Sequence, residues 1–213
     1  DHFQWTTIAS PQYVNAAFPV TVMAKDSNGL TVAGYSGAAQ LSAFKGGAST
    51  VTIGTGTGTW SYPLNTYWHD SRTQVIYLQS ELGSATVITG LALDVSTLPG
   101  QALNNWTIRM KPTSLSSYST PSFEATGWTT VYQANQTIST TGWVDFVFST
   151  PFLYDGTSNL LVDFSHNNTS WTSYGSVRSS VPGGTRSAFA YTDSGYGDPL
   201  LWTGTTSPTV SPS

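Results

Sequence analysis

The stretch GWVDFVFSTPFLYDGTSNLLVDFS, residues 142–165, decides the fold. Val144, Phe146 and Phe148 recur at every second position, with Trp143 and Asp145 at the alternate, outward positions. Leu160, Val162 and Phe164 repeat the pattern, with Asp163 at an outward position and Asp155 in the intervening loop. A period of two places alternate side chains on opposite faces of a strand, so each run is a strand with one buried face. The same reading extends outward. Residues 106–111 turn Ile108 and Met110 inward and Arg109 and Lys111 outward. Residues 86–95 are apolar on both faces, as expected of a central strand. Residues 51–53, 73–79, 128–134 and 187–192 complete the series, and no helix is expected. Strand spacing and Gly, Pro and Asn turns predict an all-β chain, an antiparallel β-sandwich of jelly-roll type over residues 47–204.

Residues 1–46 are different. FQWTTIASPQYVNAAFPVTVMAKDSNGLTVAGYSGAAQLS (3–42) supplies three or four strands of an immunoglobulin-like domain and then stops. Phe18, Val20, Val22 and Ala24 share one face, and Thr21, Met23 and Lys25 the other. Asp26-Ser-Asn-Gly29 is a turn, with 30–32 and 38–41 as the next strands. A separate sandwich needs about seven strands and roughly 100 residues. These strands therefore pair with the rest of the chain or with another molecule. Residues 205–213 (TTSPTVSPS) read as a Ser/Thr/Pro linker or arm.

The segments YPLNTYWHDSRTQVIYLQSELG (62–83), ALDVSTLPGQALNNWTIRMK (92–111), GWTTVYQAN (127–135), 142–165 and TDSGYGDPLLW (192–202) carry a resemblance. Over residues 50–203 the chain resembles a β-sandwich module repeated in large secreted and surface proteins of environmental bacteria. It is distantly similar to the jelly-roll adhesin domains of secreted bacterial proteases. Residues 1–42 resemble the first strands of bacterial surface immunoglobulin-like repeats. The resemblance implies a sandwich fold and an extracellular or cell-surface location reached by bacterial secretion. It supplies no catalytic residues.

Composition bounds the function. Charged residues are 8% of the chain, against the usual ~25%. Eight Trp, eleven Tyr and nine Phe supply ample core, which argues against disorder. A net charge of −4 with seven scattered Lys and Arg gives no footprint for nucleic acid. The absence of Cys excludes disulfides, thiolate metal sites and a Cys nucleophile. No apolar run approaches the ~20 residues of a membrane-spanning helix. The polar, Thr-rich surface favours an extracellular setting, and an opening at Asp1 without Met or signal peptide suggests a processed product.

Little in the chain points to catalysis. His69-Asp70 sits among Tyr67, Trp68 and Arg72, but no G-x-S-x-G nucleophile accompanies it. A structural cluster with Arg72 as partner is expected. Glu81 and Glu124 are the only glutamates, and no acid pair of a glycosidase is visible. The expectation is a protein that is not an enzyme. Asp193 and Asp198 in DSGYGD are calcium candidates, set against a Gly-rich turn whose carboxylates cap backbone N–H groups. Apart from that structural calcium, no cofactor is expected. His2 and His166 are too far apart in sequence to indicate a metal site by themselves.

Trp68, Trp143, Trp171 and Tyr174 are candidates for an aromatic sugar platform, set against core or interface roles. Asn105, Asn135, Asn167 and Asn168 fit the N-glycosylation sequon. Two functional expectations follow. One is a structural subunit whose partner is another copy, joined through the N-terminal strands or a terminal arm into a homopolymer. The alternative is a polysaccharide-binding, adhesin-like module of a larger secreted protein.

Overall fold

The computed structural model describes residues 2–6, 19–37, 49–193, 195–205 and 209–212. The chain divides into two compact units, Asp1–Ala43 and Phe44–Ser213. In the first, β1 (His2–Trp5) pairs antiparallel with β2 (Val22–Lys25), setting Phe3 opposite Ala24 and Trp5 opposite Val22. The turn after β2 is built by Asp26, whose carboxylate accepts the N–H groups of Asn28 and Leu30. Gly29 takes φ 79°, a conformation that costs side-chain-bearing residues and not glycine. The chain then returns along β2, where Thr31 bridges Lys25 and the Val32 N–H reaches the Ala24 carbonyl. The expected strand 30–32 is thus a single bridge, and the expected run 18–25 is a strand only from Val22. Phe18 and residues 38–41 lie outside the described residues. No described residue of this unit is buried.

The second unit is an antiparallel β-sandwich. Its strands are β3 (Gly58–Trp60), β4 (Asp70–Tyr77), β5 (Thr86–Thr97), β6 (Leu103–Thr113), β7 (Thr129–Gln136), β8 (Gly142–Tyr154), β9 (Asn159–Asn167), β10 (Ser176–Ser179), β11 (Ser187–Thr192) and β12 (Ser211–Pro212). One sheet has the order β3-β10-β5-β8, the other β12-β11-β4-β9-β6-β7. Two short helical turns, Gln79–Leu82 and Pro199–Leu201, depart from the helix-free expectation. The expected strand 51–53 is not one. The edge position beside β10 goes to β3, whose Trp60 packs its ring on Phe189 and Tyr62. No helix among the described residues is long and apolar enough to cross a membrane.

Between the sheets, Trp106, Ile108, Met110, Leu160, Val162 and Phe164 of the larger sheet meet Val95, Phe146, Phe148, Phe152, Tyr154 and Val177 of the smaller. Fully burying one such side chain is worth about 1.5–3 kcal/mol. The alternation read from 142–165 and 106–111 sets this layer.

The other face of the larger sheet is covered as well. Ile76, Leu161, Ala188 and Ala190 lie under Tyr118, Phe123, Trp202 and Val210. Strand β9 is consequently buried on both faces along Leu160–His166, and Asp163, expected to face outward, is completely buried. The tail contributes to this cover. Val210 is buried in it and Ser211 and Pro212 pair with Phe189 and Ala188, so the segment read as a linker or arm adds a strand to its own sheet.

Candidate functional site

Two clusters of polar and aromatic residues stand out. The first is the charged layer under the cover of the larger sheet. Strand register places Gln74 of β4 on one side of Asp163 and Arg109 of β6 on the other. Arg72 Nε donates to Asp163 Oδ1 at 2.7 Å, and Gln74 Nε2 donates to the same oxygen at 3.0 Å. Arg109 donates through Nε and Nη2 to Oδ2 at 2.8 and 2.6 Å. The remaining donors of Arg72 reach the carbonyls of Trp202 and Glu124, which ties the covering segments to the sheet. Arg72 also lies 4.7 Å from the Phe123 ring centroid, and Arg109 lies 5.2 Å from that of Trp128. Burial lowers the Arg72 pKa, and Asp163 opposes that shift. The expected pairing of Arg72 with His69 and Asp70 is therefore replaced by a partner 91 residues away. Both carboxylate oxygens of Asp163 are engaged and the group is completely buried, so the layer holds the cover to the sheet.

Both glutamates are similarly engaged. Glu81 accepts from Arg186 at 2.8 Å, and Glu124 from Lys111 at 3.0 Å.

The second cluster lies at one end of the sandwich, where loop 61–69 meets loop 168–175. The Thr172 N–H donates to the Thr66 carbonyl at 2.8 Å, the Gly175 N–H to the Leu64 carbonyl at 3.0 Å, and the Thr66 hydroxyl to the Ser173 carbonyl at 2.6 Å. A Cβ at Gly175 would fall 2.8 Å from the Leu64 oxygen, so this close approach requires glycine. Loop docking brings the Trp171 ring to 5.7 Å from that of Tyr67, which is 5.5 Å from Trp68. Trp68 in turn stacks on Tyr191 of β11 at 4.4 Å. Tyr67 and Trp171 are 49% and 61% exposed. The run continues inward through Tyr62 and Phe189, which pack under the sandwich edge.

Of the four aromatic candidates, Trp68 and Trp171 are thus brought together, through Tyr67. Trp143 is exposed as expected, but it projects from the smaller sheet opposite Asp94, apart from this run. Tyr174 is exposed and makes no ring contact among the described residues. Tyr67 and Tyr191 were not anticipated. Tyr67 adjoins Trp68 in sequence, and Tyr191 shares the alternate positions of β11 with Phe189.

Acidic groups border the run. Asp193 accepts the His69 N–H at 3.3 Å, and Asp198 accepts the Leu200 N–H at 2.9 Å as cap of a helical turn. Asp198 thereby caps the local turn, the role set against calcium in the sequence, whereas Asp193 reaches a backbone N–H 124 residues away. No group of three or more His, Asp and Glu among the described residues could hold a metal ion. Asp70 is nine-tenths buried, and its Oδ1 has no hydrogen-bond partner. Burial pushes its pKa up to about 6, with repulsion from Asp198 and Asp193 adding to the shift and His69 opposing it.

This shift has a definite sign. Above pH 6 the folded carboxyl is ionised at a cost that the unfolded chain, titrating near 3.8, does not bear. Asp70→Asn should therefore stabilise the fold at neutral pH by about 1–2 kcal/mol, a value reduced for solvent screening of the neighbouring acids. The gain should vanish below about pH 4, where both states are protonated. Urea denaturation at the two pH values measures it.

The four sequon asparagines occupy different settings. Asn168 is buried, accepting the Asn104 N–H at 2.7 Å and donating to the Ala102 carbonyl at 3.0 Å, so its amide is structural and closed to a glycan. Asn167 is half-buried at the end of β9. Asn135 Oδ1 accepts the Asn105 N–H, and Asn105 Oδ1 accepts from Gln133.

Comparison with protein-family models, with curated proteins and with solved structures gives no match.

Proposed function

We propose that the chain is a non-catalytic structural and adhesive protein of the cell exterior that self-assembles by strand addition at its first unit. The observation that carries this reading is the state of β1 and β2. They form a two-stranded sheet, none of the unit's described residues is buried, and Phe3, Trp5, Val20, Leu30, Val32 and Tyr35 are exposed. Phe3, Val22, Ala24, Val32 and Tyr35 line an open concavity of about 390 Å³. Strand β2 has β1 on one side and the 31–32 segment on the other, which leaves β1 at the edge of this described sheet.

A segment this small does not bury enough apolar surface to be stable alone. Its edge offers backbone donors and acceptors to an incoming strand, and its concavity offers apolar surface to that strand's side chains. A strand supplied by another copy creates a heterologous contact, which propagates instead of closing. The second unit needs no such completion, because it carries its own two-layered core and its tail pairs within its own sheet. We read its strand order, with β3 to β6 alternating between the sheets, as a jelly roll extended by β11 and β12.

The test is sedimentation and electron microscopy of the intact chain beside a Phe3→Asp, Trp5→Asp variant. Charges on an edge strand oppose strand addition. The intact chain should form polymers that grow with concentration. The variant should stay monomeric, with the thermal transition of the second unit unchanged. A monomeric intact chain, or polymers indifferent to the two charges, would refute the proposal.

A further inference from the structure

We infer that the aromatic run Trp171–Tyr67–Trp68–Tyr191, with Asp193 beside its Tyr191 end, is a binding surface for glycans bearing amino sugars. This goes beyond self-assembly, because the residues belong to the second unit and take no part in the β1–β2 sheet.

The argument begins with exposure. Tyr67, Trp171 and Tyr191 are all exposed although each contacts another aromatic ring of the run. Each is thus partly presented to solvent while a neighbouring ring fixes its position. Trp68 stacks on Tyr191, and the 168–175 loop is hydrogen-bonded to 64–66. A platform ordered in advance binds at a lower entropic cost. The Tyr67 and Trp171 rings are inclined by 51°, so they offer two separate stacking faces and not one flat platform. The axial C–H faces of pyranose rings stack on such surfaces, whereas fully apolar ligands gain nothing from the neighbouring carboxylates.

Charge selects among glycans. Asp193 directly follows β11, and its carboxylate accepts the backbone N–H of His69, next to Trp68. Asp193 and Asp198 both act electrostatically on Asp70, which adjoins His69 in the chain. Of the described Lys and Arg of this unit, Arg72, Arg109, Lys111 and Arg186 pair with other acids, and Arg178 of β10 donates to the Thr57 carbonyl. An acidic glycan meets like charge here. A protonated amino sugar gains both the carboxylates and the electron-rich ring faces.

The experiment is calorimetric titration of the Phe3→Asp, Trp5→Asp chain, intact in its second unit, with glucosamine oligomers at mildly acid pH, where their amines are protonated. Cello-oligosaccharides, which share the backbone but lack the amine, alginate, which is acidic, and a lysine oligomer, which lacks the sugar ring, are compared. Glucosamine oligomers should bind most tightly. Trp171→Ala and Tyr67→Ala should each weaken binding about tenfold, as expected of an aromatic anchor. Asp193→Asn should weaken it about threefold and flatten its salt dependence. These side chains are exposed, so the fold should tolerate all three changes. Absence of binding, equal binding of cello-oligosaccharides or of the lysine oligomer, or indifference to Trp171→Ala and Tyr67→Ala would each overturn the inference. Because the titrated chain is charged at β1, the outcome is independent of whether polymers form.

Discussion

Replacing Asp163 with Asn should cost about 3–5 kcal/mol of folding free energy, the largest loss expected from any single polar change in the chain. Asp163 is completely buried and is shared by two guanidinium groups, Arg72 and Arg109. The substitution keeps the shape and removes the charge. Arg72, itself fully buried, would then keep its desolvation cost without its counterion. Its other bonds, to backbone carbonyls of Trp202 and Glu124, are neutral and do not replace a carboxylate. The covering segments that those bonds hold should loosen first. Urea denaturation reads the loss, and fluorescence of Trp202 and Trp128, both within the cover, reports the loosening. Arg72→Met and Arg109→Met combined with Asp163→Leu should recover much of the loss, because a buried triad replaced by apolar groups leaves no orphaned charge. A loss below about 1 kcal/mol for Asp163→Asn would mean that the layer is hydrated and weak.

Mild acid should destabilise the fold through His166. Its ring is completely buried on β9, with Nε2 3.3 Å from the Asn65 carbonyl oxygen and Nδ1 without a partner. Burial pushes its pKa down to about 4, against the ordinary value of 6.5. The folded chain therefore holds His166 neutral while the unfolded chain takes up a proton. The stability tied to the neutral ring is fully present above pH 6.5 and is lost as pH falls toward 4. A shift of this size corresponds to about 3 kcal/mol. His166→Gln, which does not titrate, should lose this acid destabilisation over the same interval. Asp70 works in the opposite direction, since its protonation in the fold relieves a cost as pH falls. The difference between wild type and His166→Gln isolates the histidine. Parallel pH profiles for the two chains would show that the ring has access to water.

Both effects rest on residues whose surroundings the sequence only half discloses. Alternation correctly set Ile108 and Met110 against Arg109 and Lys111, and Val162 and Phe164 against Asp163. It says which face a side chain occupies, but not whether something covers that face. The cover comes from Tyr118, Phe123, Trp202 and Val210, which lie in aperiodic segments far from β9 in sequence. Proximity in sequence suggested Asp70 as the partner of Arg72; strand register supplied Asp163 instead. The strand at 51–53 had the β-branched residues, but Trp60 had the aromatic partners, and tertiary packing overrode local preference. The platform was partly legible for the same reason. Trp68 and Trp171 could be picked as loop aromatics, whereas Tyr67 and Tyr191 acquire their places only when 168–175 docks on 64–66 and β11 pairs with β4.

Self-assembly depends on whether β1 and β2 are completed by another copy or within one chain. Amide hydrogen exchange of residues 2–5 and 22–25, followed as the concentration of the intact chain is raised, distinguishes the two. Protection in β1 should rise with concentration, while protection in β4, β6 and β9 stays constant. Protection of β1 that is full at high dilution and independent of concentration would contradict assembly through this strand.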